Sequence, residues 1–579
     1  MLSLYIEISA QSDPLPRHLT SEELELLGQG QYFPPKLEHL PNLRTGLNYR
    51  AIAEWEEMQA VAITWRSYRS ILAEIVRHAV NEVKVLIFYQ QNITSLQSLK
   101  SYLQDRDIDP EFNIEYVEAN TNSIWIRDYG ANPVYINDVD TLAFVDWIYN
   151  RPRFNDDLIP IHTATHFEAP LLSTTIAPDD LVHTGGNFMS DGLGNGFSSM
   201  LVLDENGPMN TFGTSNHSES EVDLIMERFM GIQSYTKMEN LPFDLIHHID
   251  MHMKLLDEET LLVGKYPDGI ADGPQIEANL QYLIEQFTTT YGRSIKVKRI
   301  LMPPDQFGRY PHEGGFYRTY TNALFLNGTI LVPTYEQKYD TTALSVWSEL
   351  MPGYQIRGIN CNDIIPASGA LHCITKEVGV EEPLWITHMQ PVEAELWEPL
   401  TMAVQAKHVS GIESVFLHLQ SENEDSFNEV EMIRNPEDQW IAHLSFDTPG
   451  KYRYFFRAKS NSGKEINRPI VAPDGYFSLD INETTTSKSK YFIPEKKVWV
   501  YPNPANQLTC IEIHSNEVLK LASIDLLSLN GTVIDRIYHG PMNKEVNNVF
   551  FQAQNYHAGV YYIRLTSVKH LSYHKVIIH

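Results

Sequence analysis

Four times between Trp125 and Asn322 a short polar cluster stands immediately before, or at the start of, a stretch patterned as a strand or hairpin, and a fifth cluster ends at Cys373. Arg127-Asp128 precedes Ala131 to Trp147, which turns at Asn137-Asp138-Val139-Asp140, and Gly185-Gly186-Asn187 precedes Phe197 to Phe212, which turns at Asp204-Glu205-Asn206-Gly207. His248-Ile249-Asp250 opens Met251 to Lys265, and Thr321-Asn322 opens a pair turning at Asn327-Gly328. His372-Cys373 ends the series. Asn-Gly is the strongest of these signals, because both residues tolerate the positive φ that a two-residue hairpin turn demands. The clusters recur every ~50 to 70 residues, and repeats of that kind present their polar residues from the same end of each sheet, toward one axis. The spacing therefore predicts a five-bladed pseudo-symmetric α/β propeller, with a doubly wound sheet carrying long loops as the alternative.

Helical periodicity fills the intervals. Ala51 to Asn81 has apolar residues at helical spacing before a buried strand at Val83 to Tyr89; Glu219 to Met230 and Pro274 to Thr289 repeat the pattern, the latter leading into Ile295 to Met302. These segments define a large α/β unit over 16–403. Beyond it the chain turns to short strands at Ile412 to Leu419, Glu429 to Ile433, Trp440 to Phe446 and Tyr452 to Ser460, which fit an immunoglobulin-like sandwich over 404–481. Residues 482–497 contain NETTTSKSK, which offers nothing to bury and reads as a linker, and 498–579 form a further all-β sandwich. Residues 1–15 read either as the remnant of a signal peptide, with Ile8-Ser9-Ala10-Gln11 at its end, or as a frayed first strand.

The formal net charge of −30 opposes binding to nucleic acid or to an anionic membrane and suits basic peptides. The three cysteines, Cys361, Cys373 and Cys510, are too few for a disulfide scaffold and lack the close Cys/His spacing of a structural zinc site. No cofactor or metal is called for; acidic turns leave a calcium brace in a sandwich open, without an EF-hand pattern. A thiol accompanied by two carboxylates and an imidazole suits attack on a cationic electrophile, because carboxylates hold the cation while the thiolate adds to it. Guanidinium is such an electrophile. Each residue also has an ordinary reading: Asp128 paired with Arg127, Asp250 as a turn residue, Asn322 as a strand start and Trp125 as core. For Arg151 and Arg153 it is surface pairing with Asp156 and Asp157.

Trp125-Ile126-Arg127-Asp128-Tyr129-Gly130, Gly185-Gly186-Asn187-Phe188-Met189-Ser190-Asp191-Gly192, His248-Ile249-Asp250, Tyr320-Thr321-Asn322 and Leu371-His372-Cys373-Ile374-Thr375 occur in an order that resembles the Porphyromonas-type peptidylarginine deiminases. These belong to the guanidine-modifying superfamily that includes agmatine deiminase. The resemblance covers about residues 50 to 390 and implies the same propeller. It implies Cys373 as the nucleophile that forms a thiouronium intermediate, and His248 as acid and base, selected over His247 by its spacing to Asp250. Asp128 and Asp250 would be guanidinium acceptors and Asn322 an orienting amide. Trp125, Gly186 and Asn187 would shape the pocket. Asn150-Arg151-Pro152-Arg153 would place Arg151 and Arg153 on the α-carboxylate of a C-terminal arginine, which agmatine lacks. The implied reaction is conversion of peptide or protein arginine to citrulline and ammonia; agmatine deimination and a non-catalytic surface adhesin are the alternatives. Val498-Trp499-Val500-Tyr501-Pro502-Asn503-Pro504 and Gly559 to Leu565 resemble a type IX secretion sorting domain of Bacteroidetes. That implies the type IX machinery as a partner and a secreted or outer-membrane surface location.

Overall fold

The computed structural model describes residues 14–36, 47–391, 394–397, 399–482, 498–515, 518–529, 531–567 and 570–579. Residues 1–13 of the expected signal segment and 483–497 of the expected linker lie outside the described residues.

Among the described residues, five small sheets build the region up to Gly379, and most share one construction. Met253–Asp257 pairs antiparallel with Thr260–Lys265, which pairs parallel with Lys296–Leu301 after the helix Gly273–Gln286. Leu324–Leu326, Thr329–Thr334 and Gln355–Asn360 repeat this arrangement around Gln337–Leu350. Met189–Ser190, Asn195–Ser199 and Ser234–Met238 do so with Glu219–Met230 in the crossover. Asn132–Ile136, Thr141–Trp147 and Leu171–Thr174 enclose Ile159–His166, and Tyr49–Ala51 adds to their edge. In the fifth sheet Met58–Thr64, Lys84–Tyr89 and Ile114–Glu118 run parallel, joined through the helices Arg69–Ala79 and Leu96–Gln104. The late strand Lys376–Gly379 pairs antiparallel with Met58–Thr64. Antiparallel neighbours need only a short turn and parallel ones need a crossover, so this alternation follows from connection length.

The expected five-bladed propeller is corrected by these pairings. Among the described residues the sheets are separate units of three or four strands, none curled or closed on itself into a barrel or propeller. Each ladder is completed within its own sheet, so the sequence recurrence reports a repeated mixed unit and not a closed ring.

Two local expectations also change. Ala51 to Asn81 is not one helix: Met58–Thr64 is a strand with Val61, Ala62 and Ile63 buried, and helix begins only at Arg69. A strand buried on both faces is as continuously apolar as a core helix, so periodicity did not separate them. Phe197 to Phe212 is not a hairpin either, because Leu201–Asn206 is helical. The Asn206 side chain fixes that helix by donating to the Val182 and Val202 carbonyls and accepting from the Val182 N–H. At Asn327-Gly328 the expected turn forms, with Asn327 at φ 46°.

Trp385–His388, Leu400–Lys407, Trp440–Leu444 and Ile433–Arg434 form one sheet of the next region. Gly450–Ser460 is central to the other, flanked by Ile412–Ser421 and Phe477–Asn482. Val415, Leu417, Tyr454, Phe456 and Leu479 fill the core between them. Residues 1–287 and 295–483 make one compact unit, and 288–294 with 484–579 make the second. In the second unit, Ile511, Ile513, Ile524, Leu526, Ile563 and Val576 form the core of three- and four-stranded sheets. No helix among the described residues is long and apolar enough to cross a membrane.

Candidate active site

Most of the polar clusters sit on or beside single helical turns that lead into strands. Ile126–Tyr129 precedes Asn132–Ile136, Gly185–Asn187 precedes Met189–Ser190, and Ile249–Met251 precedes Met253–Asp257. Asn322 lies just ahead of Leu324–Leu326, and His372–Ile374 just ahead of Lys376–Gly379. Each turn thus delivers its side chains beyond a strand end. His247 takes a left-handed φ of 57°, and the following residue, His248, is buried.

Asp128, His248, Asp250, Asn322 and Cys373 converge around a residue that the sequence reading did not single out, Arg17. Its Nε and Nη2 donate to Asp128 at 2.8 and 2.7 Å, and Nη1 and Nη2 reach the two Asp250 oxygens at 3.3 Å. Nη1 also stands 2.5 Å from Cys373 Sγ. The guanidinium is fully buried between two equally buried carboxylates. Such an arrangement is tolerable only because charge and hydrogen-bonding demands are met together. Arg127 does not neutralise Asp128: it pairs with Glu377 at 2.6 Å and donates to the His372 carbonyl.

Asn322 works through its amide. Its Oδ1 accepts from the His372 N–H at 3.1 Å and from the Cys373 thiol at 3.3 Å, while Nδ2 donates to the Asp250 carbonyl at 3.4 Å. A further layer was missed by sequence reasoning. His372 Nδ1 lies 2.9 Å from Asp250 and its Nε2 3.1 Å from Glu54, which is itself paired with Lys254. Glu54 lies 318 residues from His372, so no local motif announces the pair.

Burial pushes the Asp128 carboxyl up, but Arg17 and His248 outweigh it and hold the group below the ordinary carboxylate range. Asp250 behaves alike: burial opposes, Arg17 and His372 prevail. Burial and the Arg17 cation bring His248 down to about 4 despite Asp128, whose Oδ1 is 3.4 Å from His248 Nδ1. His248 is therefore neutral near pH 7, with Nε2 3.1 Å from Thr184 Oγ1. The Cys373 thiol is raised by burial, with Arg17 pulling it back and the carboxylates pushing it up. The Arg17 cation beside the sulfur is the side chain that favours thiolate here.

Gly186 leaves the room that the Arg17 guanidinium occupies. A Cβ there would collide with the Arg17 guanidinium and come within 2.8 Å of both Asp128 Oδ1 and His248 Nδ1. The neighbouring Asn187 is buried and accepts from the Ser199 N–H at 2.9 Å, which ties its turn to the strand Asn195–Ser199. Gly369 lies between the Trp125 ring and Cys373, where a Cβ would come within 3.1 Å of the sulfur and collide with the ring.

Arg151 and Arg153 are buried and do not pair with Asp156 and Asp157. Asp156 instead accepts from the Asn122 and Ser123 backbone, and Asp157 from the Tyr149 N–H. The arginines face the chain around Arg17. Arg151 Nε donates to the Arg17 carbonyl at 2.8 Å; Arg153 Nη2 donates to the Pro16 carbonyl at 2.7 Å and to that of His18 at 3.4 Å. Trp125 Nε1 donates to the Leu15 carbonyl at 2.9 Å. Arg153 also pairs with Glu23 at 2.7 Å, in the helix Ser21–Gly28 that follows Arg17. Cys361 and Cys510 take no part: Cys361 donates to the Ile359 carbonyl, and Cys510 lies in the strand Leu508–Ser515 of the second unit.

Two family models match the chain. The model described as Porphyromonas-type peptidyl-arginine deiminase covers residues 50–378, and that of a secretion system C-terminal sorting domain covers 499–579. A Legionella pneumophila protein named "Putative agmatine deiminase" is 24% identical over 341 residues, spanning 56% of this chain and 93% of that protein. The solved C. jejuni agmatine deiminase is 22% identical, with 59% of this chain and 98% of that one covered at a TM-score of 0.47. An Enterococcus faecalis agmatine deiminase structure is 18% identical, with 58% and 99% covered at 0.48.

Proposed function

The chain belongs to the Porphyromonas-type peptidyl-arginine deiminase family, and on that premise we propose that it converts arginine in peptides, C-terminal arginine above all, to citrulline and ammonia through a covalent intermediate on Cys373. Deimination of guanidino groups is the chemistry of the family. The sorting domain at 499–579 marks the chain for secretion or surface attachment of the type IX kind.

In this reading Asp128 and Asp250 fix the guanidinium plane and draw its charge into the site. The substrate cation lowers the cost of forming the Cys373 thiolate, as the Arg17 guanidinium does beside the same sulfur. Sulfur adds to the central carbon, a C–N bond breaks, and the thiol proton ends on the departing ammonia, with His248 as carrier. The thiouronium left on Cys373 then takes water. Neutral His248 accepts a proton from that water, the C–S bond breaks, and the new carbon–oxygen bond completes citrulline. Asn322 orients the thiol, and Gly186, Asn187 and Trp125 form the walls.

The observation that carries the substrate class is the Arg151 hydrogen bond to the Arg17 carbonyl while the Arg17 guanidinium lies on Asp128 and Asp250. A terminal arginine seated the same way would present a carboxylate to Arg151, where a charge-assisted bond is stronger than one to a neutral carbonyl. Agmatine, favoured by the relatives' names, presents nothing there. Ammonia release from a peptide ending in arginine, from the same peptide amidated and from agmatine tests the reading. The terminal peptide should be fastest; equal rates for peptide and amide would remove the carboxylate from recognition.

A further inference from the structure

The segment around Arg17 enters the site by main-chain anchoring as well as by charge. Arg17 N–H donates to the Ala367 carbonyl at 2.8 Å, and His18 Nδ1 lies 3.1 Å from Ser368 Oγ. Ser21–Gly28 carries a reciprocal Thr20/Glu23 capping box, so Glu23 both starts the helix and holds Arg153. Leu27 packs with Tyr32, Ile148, Val182 and Phe212. This is a docked segment with its own core contacts, and no exogenous arginine can reach Asp128 and Asp250 while Arg17 fills them.

We propose that Arg17 is the chain's own first substrate: Cys373 deiminates it once, and the resulting citrulline releases the segment and opens the site. The proposal rests on the deiminase reading above. All groups needed for the step already surround Arg17: the two carboxylates, the sulfur beside Nη1, and His248 beside Asp128. The step balances with water as the sole co-reactant. Cys373 sulfur bonds to Arg17 Cζ, the bond from Cζ to one terminal nitrogen breaks, and the thiol proton leaves with that nitrogen as ammonia. Water then supplies the carbonyl oxygen, one of its protons restores the thiol, and the other converts ammonia to ammonium.

Conversion removes the cation that two buried carboxylates require. Loss of one member of a buried ion pair is strongly destabilising to the docked state, so neutral citrulline at 17 no longer holds the segment against its entropy of release. The Arg151 and Arg153 contacts to main-chain carbonyls survive the reaction, but they carry no charge pairing with the segment except Arg153 to Glu23.

The test compares the full chain with Cys373→Ala by peptide mass analysis of residue 17, alongside ammonia release from an added terminal-arginine peptide. Citrulline at 17 in the unsubstituted chain and arginine in Cys373→Ala is the expected result. Cys373→Ala incubated with active enzyme should retain arginine, because the reaction is within one chain. Arg17→Ala, which removes the cation, should show full turnover from the first time point, whereas Arg17→Lys, which keeps a cation between Asp128 and Asp250 but offers no guanidinium carbon to Cys373, should stay blocked. Arginine persisting at 17 in a preparation that turns over added peptide overturns self-conversion and leaves the deiminase reading standing. Citrulline appearing in Cys373→Ala exposed to active enzyme overturns the intramolecular route. A chain that converts neither added peptide nor Arg17 overturns both readings.

Discussion

At the guanidinium end of the cradle, Asp128 and Asp250 come from separate sheets, each on a one-turn helix, and meet a planar cation in a fully buried space. At the main-chain end, Arg151 and Arg153 lie two residues apart on one stretch of chain and donate to carbonyls that are already neutral. The first end balances formal charges and fails if either sign is missing. The second completes hydrogen bonds and loses them one at a time. Chemistry should therefore depend steeply on the first end, and choice of substrate on the second.

The steepest test is Cys373→Ala, for which ammonia release should fall by on the order of 10⁴-fold or more, as removal of a nucleophile does elsewhere. Asp250→Asn should cost about 10²- to 10³-fold in kcat, the scale of a lost charge-stabilising group; a change confined to KM would place Asp250 in plain binding. Arg151→Ala should lower kcat/KM for a terminal-arginine peptide by about 10- to 100-fold, the worth of one hydrogen bond to a charged group, and leave agmatine turnover unchanged. An equal loss on both substrates would break the division between the two ends. Asn322→Ala should cost about 10-fold by releasing the thiol, in line with a lost neutral hydrogen bond, with the pH profile shifted.

The smallest expected effect is on stability against acid. His248 is held at about 4, below its ordinary value, so the unfolded chain protonates first as pH falls. Its stabilising contribution is complete above about 6.5, the free histidine value, and disappears on descending through about 4. Asp128 and Asp250, also held low, add a loss of the same sign below the free carboxylate range. His248→Gln should flatten the thermal midpoint between pH 4 and 6.5 in calorimetry. An unchanged slope would show that His248 does not titrate with folding.

The two ends were also unequally legible in the sequence. Asp128, His248, Asp250, Asn322 and Cys373 lie in compact motifs just before strands, and their meeting in space follows from where those turns sit. Arg17 carried no such signal: it lies 111 residues from Asp128 and 356 from Cys373, outside any repeat. The Glu54–His372–Asp250 chain was hidden for the same reason. The hairpins at Asn137-Asp140 and Asn327-Gly328 formed where turn chemistry required them. Closure into a propeller did not follow, because a repeat in sequence fixes the unit and not how units join.

Trp125, Arg153 and Arg151 together take the carbonyls of Leu15, Pro16, Arg17 and His18 in succession. None of these bonds touches a flanking side chain. A polypeptide laid along the same track would be read in one direction and in one register, with arginine fixed at the third carbonyl, yet the recognition would be blind to its neighbouring letters. Breadth across targets would then come from the track, and selectivity from how far the chain continues past the arginine.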